Sequence, residues 1–398
     1  MSMVSDGVIL NETQYRWRTW LLAWSGLIVM CSLYMTIPLS TLFASQFHVS
    51  ASMAALSSSV FSICFACGCL LYGAIADKYG RKRVMLVGML GLALSTLAAS
   101  LMQQFPLFIV LRALQGLTAS TFSPVVLAYI VSMFPSQRRV TAIGFVSTGF
   151  LLAGIVGQVV AGYIGTHDDW HHLFLLFGCL YIVTALLLWS FLPGDVAGQP
   201  ELNLYVYMKQ IKHVILQKNV VLSYVVAFVL LTSFIVMYAI LNHQLQNAAY
   251  GLDEQSILWI RIAGIAGMIC APLAGIISQK RSSRFTLLLG LTVSLLSLVV
   301  MAVSVALPLL VLFSVCAVAG IAISVPALVS IVGQLGLQRR GIAVSLYTFV
   351  LFVGTAFAPF LSMQFISLHS HMLALGSNAL LLLPALLATL GMRLPKQE

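Results

Sequence analysis

Gly73-Ala74-Ile75-Ala76-Asp77-Lys78-Tyr79-Gly80-Arg81-Lys82-Arg83 closes one apolar stretch and opens the next. Before it lies an apolar run over roughly 51–76, and after it another over roughly 83–102. Each is long enough to cross a bilayer as a helix, which takes about 20 apolar residues. The quoted segment therefore reads as a short charged connection between two membrane spans. Gly73 allows a neighbouring helix to come close, and Gly80 allows a tight turn. Asp77, at the rim of its span, can pair with a nearby Arg or cap the positive N-terminus of another helix. The plainer alternative is a charged loop with a glycine turn.

The same pattern repeats along the chain. Twelve apolar runs fall at roughly 18–43, 51–76, 83–102, 106–132, 140–164, 172–192, 219–242, 255–278, 285–305, 307–334, 341–366 and 371–392. Only 8% of the residues are charged and 61% are hydrophobic, whereas a soluble domain carries about a quarter charged residues. The fold class expected is an all-α membrane protein. The run beginning near Thr19 is too long for a signal-peptide core and reads as the first span.

Charge placement supplies orientation. Among the twenty Lys and Arg, all but Arg112 and Arg261 lie in the two end segments or in the even-to-odd connections. Those connections hold Lys78, Arg81, Lys82 and Arg83, then Arg138 and Arg139, Lys209, Lys212 and Lys218, Lys280, Arg281 and Arg284, and finally Arg339 and Arg340. The odd-to-even connections hold neither Lys nor Arg. Basic loops stay cytoplasmic, so both termini are expected in the cytoplasm and the protein in the plasma (inner) membrane as a multi-pass chain. The net charge of +10 then reflects attraction to anionic headgroups, membrane lipids being the partner, and not nucleic acid.

The two halves of the sequence repeat. Gly73-Ala74-Ile75-Ala76 is matched 202 positions later by Gly275-Ile276-Ile277-Ser278, and Pro124 by Pro326 at the same offset. Gln137-Arg138-Arg139 is matched by Gln338-Arg339-Arg340, shifted by one. The expected organisation is a six-helix bundle over 1–192, a cytoplasmic linker over 193–218 and a second six-helix bundle over 219–398. In the linker, Leu204, Tyr207, Ile211 and Ile215 recur at helical intervals around Lys209 and Lys212. That spacing suggests an amphipathic helix on the membrane surface, with a solvated linker as the alternative. Paired bundles place a substrate site at their interface near mid-membrane.

All seven cysteines lie in apolar runs, and Cys64, Cys67 and Cys69 read as packing residues between helices and not as a metal cluster. No cofactor, metal or enzymatic activity is expected: no span offers a nucleophile beside a base, and no phosphate-binding Gly-x-x-x-x-Gly-Lys-Ser/Thr loop occurs.

The Gly73–Arg83 segment closely resembles the signature of the major facilitator superfamily, in its loop between the second and third spans, and the likeness extends over essentially the whole chain. The resemblance implies alternating access by a monomer, with Gly73, Asp77, Gly80, Arg81 and Arg83 as a gating motif. Asp77 and Arg81 would then stabilise the outward-facing state. The second copy, Gly275 to Arg284, has Gln279 in place of the acid and Ser282 in place of the second glycine. It is expected to have lost the latch and kept the basic loop.

Leu111-Arg112-Ala113-Leu114-Gln115-Gly116 resembles the family's arginine motif, which implies a role for Arg112 and Gln115 in substrate or proton coupling. An intramembrane Arg needs a wet cavity or bonds to backbone and polar groups. A structural Arg satisfied by carbonyls and Gln115 is the alternative. Gly149, Gly154, Gly157 and Gly162 in span five resemble the glycine-rich motif of exporters, although Gln158 replaces the proline expected after Gly157. Close helix packing explains these glycines equally well.

Arg261 lies about as deep in span eight as Arg112 does in span four, so the two cations could face one cavity. Arg261 could instead reach back to Asp253 or Glu254. No Asp or Glu lies well inside any run, which weighs toward an anionic or zwitterionic small-molecule substrate. Tyr34, Thr36, Tyr224, Thr232, Tyr238 and Asn242 on spans one and seven could contact its remainder, or serve only packing. Proton coupling has Asp77 and His243 as its titrating candidates. The reading is a secondary exporter of the drug-efflux-like, drug:proton antiporter branch. Import of an anionic metabolite is the alternative, and a lipid flippase a more distant one.

Overall fold

The computed structural model describes residues 12–194, 211–212, 214–246, 250–252, 254–336 and 340–392. These are helical nearly throughout. The first half comprises α1 (Glu12–Tyr34), α2 (Ser40–Gln46), α3 (Ala51–Tyr79), α4 (Arg81–Ala99), α5 (Phe105–Ala119), α6 (Ser123–Met133), α7 (Ser136–His167) and α8 (Trp170–Phe191). The second comprises α9 (Lys218–Gln246), α10 (Glu254–Met268), α11 (Leu273–Lys280), α12 (Ser283–Val303), α13 (Leu307–Leu335), α14 (Arg340–Ile366) and α15 (His371–Gly391). Most of the expected linker helix lies outside the described residues; within it, 211–212 and 214–215 are helical.

Eleven helical segments among the described residues are long and apolar enough to cross a membrane. The segment containing α1 is not one of them, because Glu12, Arg16 and Arg18 occupy its first turns. Helix boundaries follow local chemistry. Ser50, Asp169, Ser282 and Ser370 each accept a hydrogen bond from a backbone N–H of the first turn of α3, α8, α12 and α15, satisfying a donor that the helix itself cannot. Gly80 adopts φ 93°, a conformation costly for other residues, and turns the chain from α3 directly into α4.

Three apolar runs are not continuous helices, contrary to the sequence-based expectation. The first breaks at 35–39, where Pro38 lies; the fourth at 120–122, just before Pro124; and the eighth at 269–272, ending in Pro272. Proline lacks the N–H donor and restricts the residue before it, so a helix tends to stop and restart there. Pro326, the repeat partner of Pro124, lies inside the unbroken α13.

Within the first half, α1 packs along α7, α3 along α5, and α4 along α8. In the second, α12 packs along α13, and α9 along both α14 and α15. The halves meet where α3 crosses α14 and where α7 crosses α11 and α13. The sequence repeat thus reappears as two related crossings, span two on span eleven and span eight on span five.

Candidate transport gate and polar sites

The crossings are made by small residues. A Cβ on Gly73 would stand 1.9 Å from Ser345 Oγ and 3.0 Å from the Gly341 carbonyl oxygen. Its repeat partner Gly275 is pressed on Thr141 in the same way, with an added Cβ 1.8 Å from Thr141 Oγ1. Gly144 faces the backbone of Ala271 and Pro272 closely enough that a Cβ would meet it at 2.7 Å. Any larger side chain at these positions pushes the helices apart. Phe65 and Phe352 add an edge-to-face contact across the halves at 4.6 Å between centroids. Thr148 Oγ1 donates across them to the Met268 carbonyl at 3.2 Å.

At the rim of the first crossing, Arg81 Nη2 donates to Asp77 Oδ1 at 2.7 Å and Nη1 to Ser132 Oγ at 2.8 Å. The Asp77 carboxylate also faces the first turn of α14, where a Cβ on Gly341 would lie 2.1 Å from Oδ2. A carboxylate is favoured there because the helix N-terminus carries partial positive charge. Asp77 thus combines both arrangements open to it from sequence, the Arg pair and the helix end. Lys82 Nζ donates to the Trp189 carbonyl at 2.8 Å, while Arg83 is exposed.

The second copy of the motif departs from expectation. Gln279, in place of the acid, donates through Nε2 to the Gln137 carbonyl at the start of α7. An amide therefore still links the halves at the related position, without a charge.

Arg112 is fully buried, at 0% exposure. Nε donates to the Ser57 carbonyl at 2.9 Å, Nη1 to Gln115 Oε1 at 2.6 Å, and Nη2 to the Ser32 carbonyl at 3.1 Å and Thr36 Oγ1 at 3.3 Å. The guanidinium also lies 4.4 Å from the Phe61 ring centroid. Gln115 passes the network on to Thr96 Oγ1 at 3.1 Å. Arg112 therefore ties α1, α3, α4 and α5 together and lines no open cavity in this conformation. A buried charge with this many donors engaged is tolerated where a bare one is not.

Arg261 differs. It is half-buried, and Nε donates to Asn242 Oδ1 at 3.3 Å. Tyr238 lies on the same helix one turn before Asn242, and its buried hydroxyl has no hydrogen-bond partner. Three residues marked in the sequence, Tyr238, Asn242 and Arg261, thus share the α9–α10 surface. Asp253 and the Glu254 side chain lie outside the described residues. Tyr34 sits elsewhere, beside Gly154 with a Cβ-to-ring approach of 3.8 Å. Tyr224 donates to the Ala343 carbonyl at 3.0 Å and Thr232 to the Phe228 carbonyl at 2.6 Å.

The four span-five glycines divide by environment. Added Cβ atoms at Gly149 and Gly157 would meet α1 backbone oxygens, Ala23 O at 2.4 Å and Cys31 O at 3.1 Å. Gly154 makes an ordinary contact, and Gly162 faces a recess of about 510 Å³ between α2 and α7. Among the described residues no group of three His, Cys, Asp or Glu is placed to hold a metal.

Ser132, Gly341, Thr141 and Ser345 take part in these contacts without having been marked in the sequence. Gly275 was the available signal, because its match to Gly73 predicts a second close crossing.

Comparison with known proteins places these features. The model of the Major Facilitator Superfamily matches residues 22–359. The inner membrane transport protein YnfM of Escherichia coli (strain K12) is 23% identical over 64% of this chain and 62% of its own. The multi-drug resistance efflux pump PmrA of Streptococcus pneumoniae is 28% identical over 57% of each chain. An uncharacterized transporter of Buchnera aphidicola subsp. Schizaphis graminum is 24% identical over 67% of this chain; the match spans 65% of that relative's length. In fold, the human organic anion transporter MFSD10 superposes with a TM-score of 0.75 at 15% identity, covering 95% of this chain and 100% of its own. The proton:xylose symporter XylE superposes with a TM-score of 0.70 at 16% identity, covering 96% of each chain.

Proposed function

Because the chain belongs to the Major Facilitator Superfamily, we propose that it is a secondary transporter that exports a small organic molecule across the inner membrane by alternating access. In this reading α1 begins the first span and brings their number to twelve, residues 1–192 and 219–398 are the two bundles, and the side bearing the basic connections is cytoplasmic. The conformation is the one closed on that side.

One observation carries the reading. The contacts between halves gather from mid-membrane to the basic rim, ending at the Asp77 carboxylate against the first turn of α14. A carrier must make such contacts in one state and break them in the other, because its ligand can reach a central site only through one open side at a time. The small residues at Gly73, Gly144 and Gly275 let the helices close, and the polar bonds at Asp77 and Gln279 hold the rim.

The cargo is an anionic or zwitterionic molecule. Arg261 supplies a guanidinium whose fork suits a carboxylate or phosphate, with Asn242 and Tyr238 beside it, and no acid lies well inside the spans to balance it. Arg112 acts by holding the first bundle rigid. Proton coupling, where present, falls to Asp77 or His243.

Everted and right-side-out vesicles loaded with a panel of organic anions test direction. Concentrative uptake into everted vesicles supports export; accumulation only in right-side-out vesicles means import and overturns it.

A further inference from the structure

A cavity of about 250 Å³ opens between α1 and α7 at their basic-side ends, lined among others by Tyr15, Arg16, Trp20, Arg138, Thr141 and Phe145. Its origin is geometric. The two helices run in the same direction and are clamped at Gly149 and Gly157. Nearer the basic rim, Trp20 and Phe145 stand between them, with ring centroids 4.9 Å apart. Beside these rings a groove is left toward the rim.

The groove has the chemistry of an amphiphile's head. Arg16 and Arg138 stand at its mouth, and Arg138 lies over the Tyr15 ring at 5.3 Å. Among the described residues the one acid joined to this group is Glu12, paired with Arg138 at 2.8 Å but itself 72% exposed. Positive charge therefore exceeds negative, and the first turns of α1 and α7 both point their positive ends to this rim. Deeper in, the walls are the apolar faces of Trp20, Phe134, Ala142 and Phe145. Trp17, Trp20 and Trp24, at 53%, 57% and 44% exposure, form a stripe along the outside of α1, where tryptophan marks the level of lipid headgroups.

We infer that this groove binds one anionic phospholipid from the basic-side leaflet, its phosphate between Arg16 and Arg138 and its glycerol and upper acyl chain against Trp20 and Phe145. Thr141 gives the site a consequence, since it lines the groove and also bears on Gly275 of α11 in the other half. A bound lipid braces α7 at the point where the basic-side crossing closes, and so favours the closed state. The inference rests on reading the basic side as a membrane boundary and not on the direction of transport.

The test is native mass spectrometry of the full chain released from nanodiscs of phosphatidylglycerol mixed with phosphatidylcholine. The wild type is expected to retain one phosphatidylglycerol in preference to phosphatidylcholine. Near a membrane surface each basic residue contributes roughly fivefold to attraction of an anionic lipid, so Arg16→Gln with Arg138→Gln is expected to weaken retention by roughly twentyfold or more. Arg16→Lys with Arg138→Lys keeps the charge and the topology signal, and is expected to retain lipid at an intermediate level. Glycerol phosphate at matched concentration separates sources: displacement of the lipid by it would show that a soluble phosphate suffices, overturning the assignment to phospholipid. Equal retention of both lipids by the wild type, or undiminished retention by the well-folded Gln pair, would also overturn it.

Discussion

The Asp77 carboxylate and Gly341 share one space: a methyl group at Gly341 would fall 2.1 Å from Asp77 Oδ2. The acid comes from α3 and the glycine from the first turn of α14, so this contact joins the two halves at the basic rim.

Two substitutions attack that contact from opposite partners. Asp77→Asn removes the charge, and Gly341→Val fills the place the carboxylate occupies. A carboxylate at a helix N-terminus is worth up to about 2 kcal/mol, so either change shifts the balance between states by on the order of tenfold. Both variants are expected to insert normally and transport severalfold more slowly. Vesicle transport normalised to membrane protein measures this, and full activity in both would remove the contact from the gate.

Arg112 and Arg261 separate on different assays. Arg112→Gln takes the donor away from Gln115 Oε1 and from the Ser32 carbonyl inside the first bundle. Each buried acceptor left without a partner costs about 1–3 kcal/mol, so thermal unfolding in detergent is expected at a clearly lower temperature. Arg112→Lys cannot reproduce the fork and is expected to fall only slightly less. A wild-type melting profile for Arg112→Gln would contradict the structural role.

Arg261→Gln is expected to leave unfolding nearly unchanged, because one bond of 3.3 Å to Asn242 is lost. It is expected to raise the KM for an anionic cargo about tenfold, the weight of a charge-assisted hydrogen bond. Arg261→Lys should recover part of that loss. An unchanged KM for every anion transported would set aside the anionic reading.

The span-five glycines offer a graded test. Gly149→Leu forces a side chain into the Ala23 carbonyl and is expected to destabilise by about 1–3 kcal/mol. Gly162→Ala, in open space, is expected to be neutral or stabilising by less than about 1 kcal/mol. If both variants melt like the wild type, close packing is not the reason for Gly149.

The helical spans were legible because a bilayer sets the length of an apolar helix that crosses it. The run at 307–334 became α13 at Leu307–Leu335, and that at 371–392 became α15 at His371–Gly391. Helix breaks were not legible, because Ser120-Thr121-Phe122 and Ile269-Cys270-Ala271 are apolar or small and do not interrupt a hydropathy pattern. Pro124 and Pro326 show the limit: at matching repeat positions, one opens a new segment and the other sits within a helix. At the sites, residue identity pointed to Asp77, Arg81, Arg261 and Asn242. The partners of Arg112 stayed hidden because two of them are backbone carbonyls, which every residue possesses. Gln279 looked like a lost latch because its charge was gone, yet an amide can still donate to Gln137.

The central claim is that the basic-side interface opens and closes during each transport cycle. Gln137→Cys with Gln279→Cys, in a chain whose native cysteines are replaced by Ser or Ala, places two exposed thiols on opposite halves where Gln279 reaches Gln137, within the span of a short, reducible bifunctional thiol reagent. Cross-linking is expected to stop transport and reduction to restore it. Transport at the full rate by fully cross-linked protein would contradict the account.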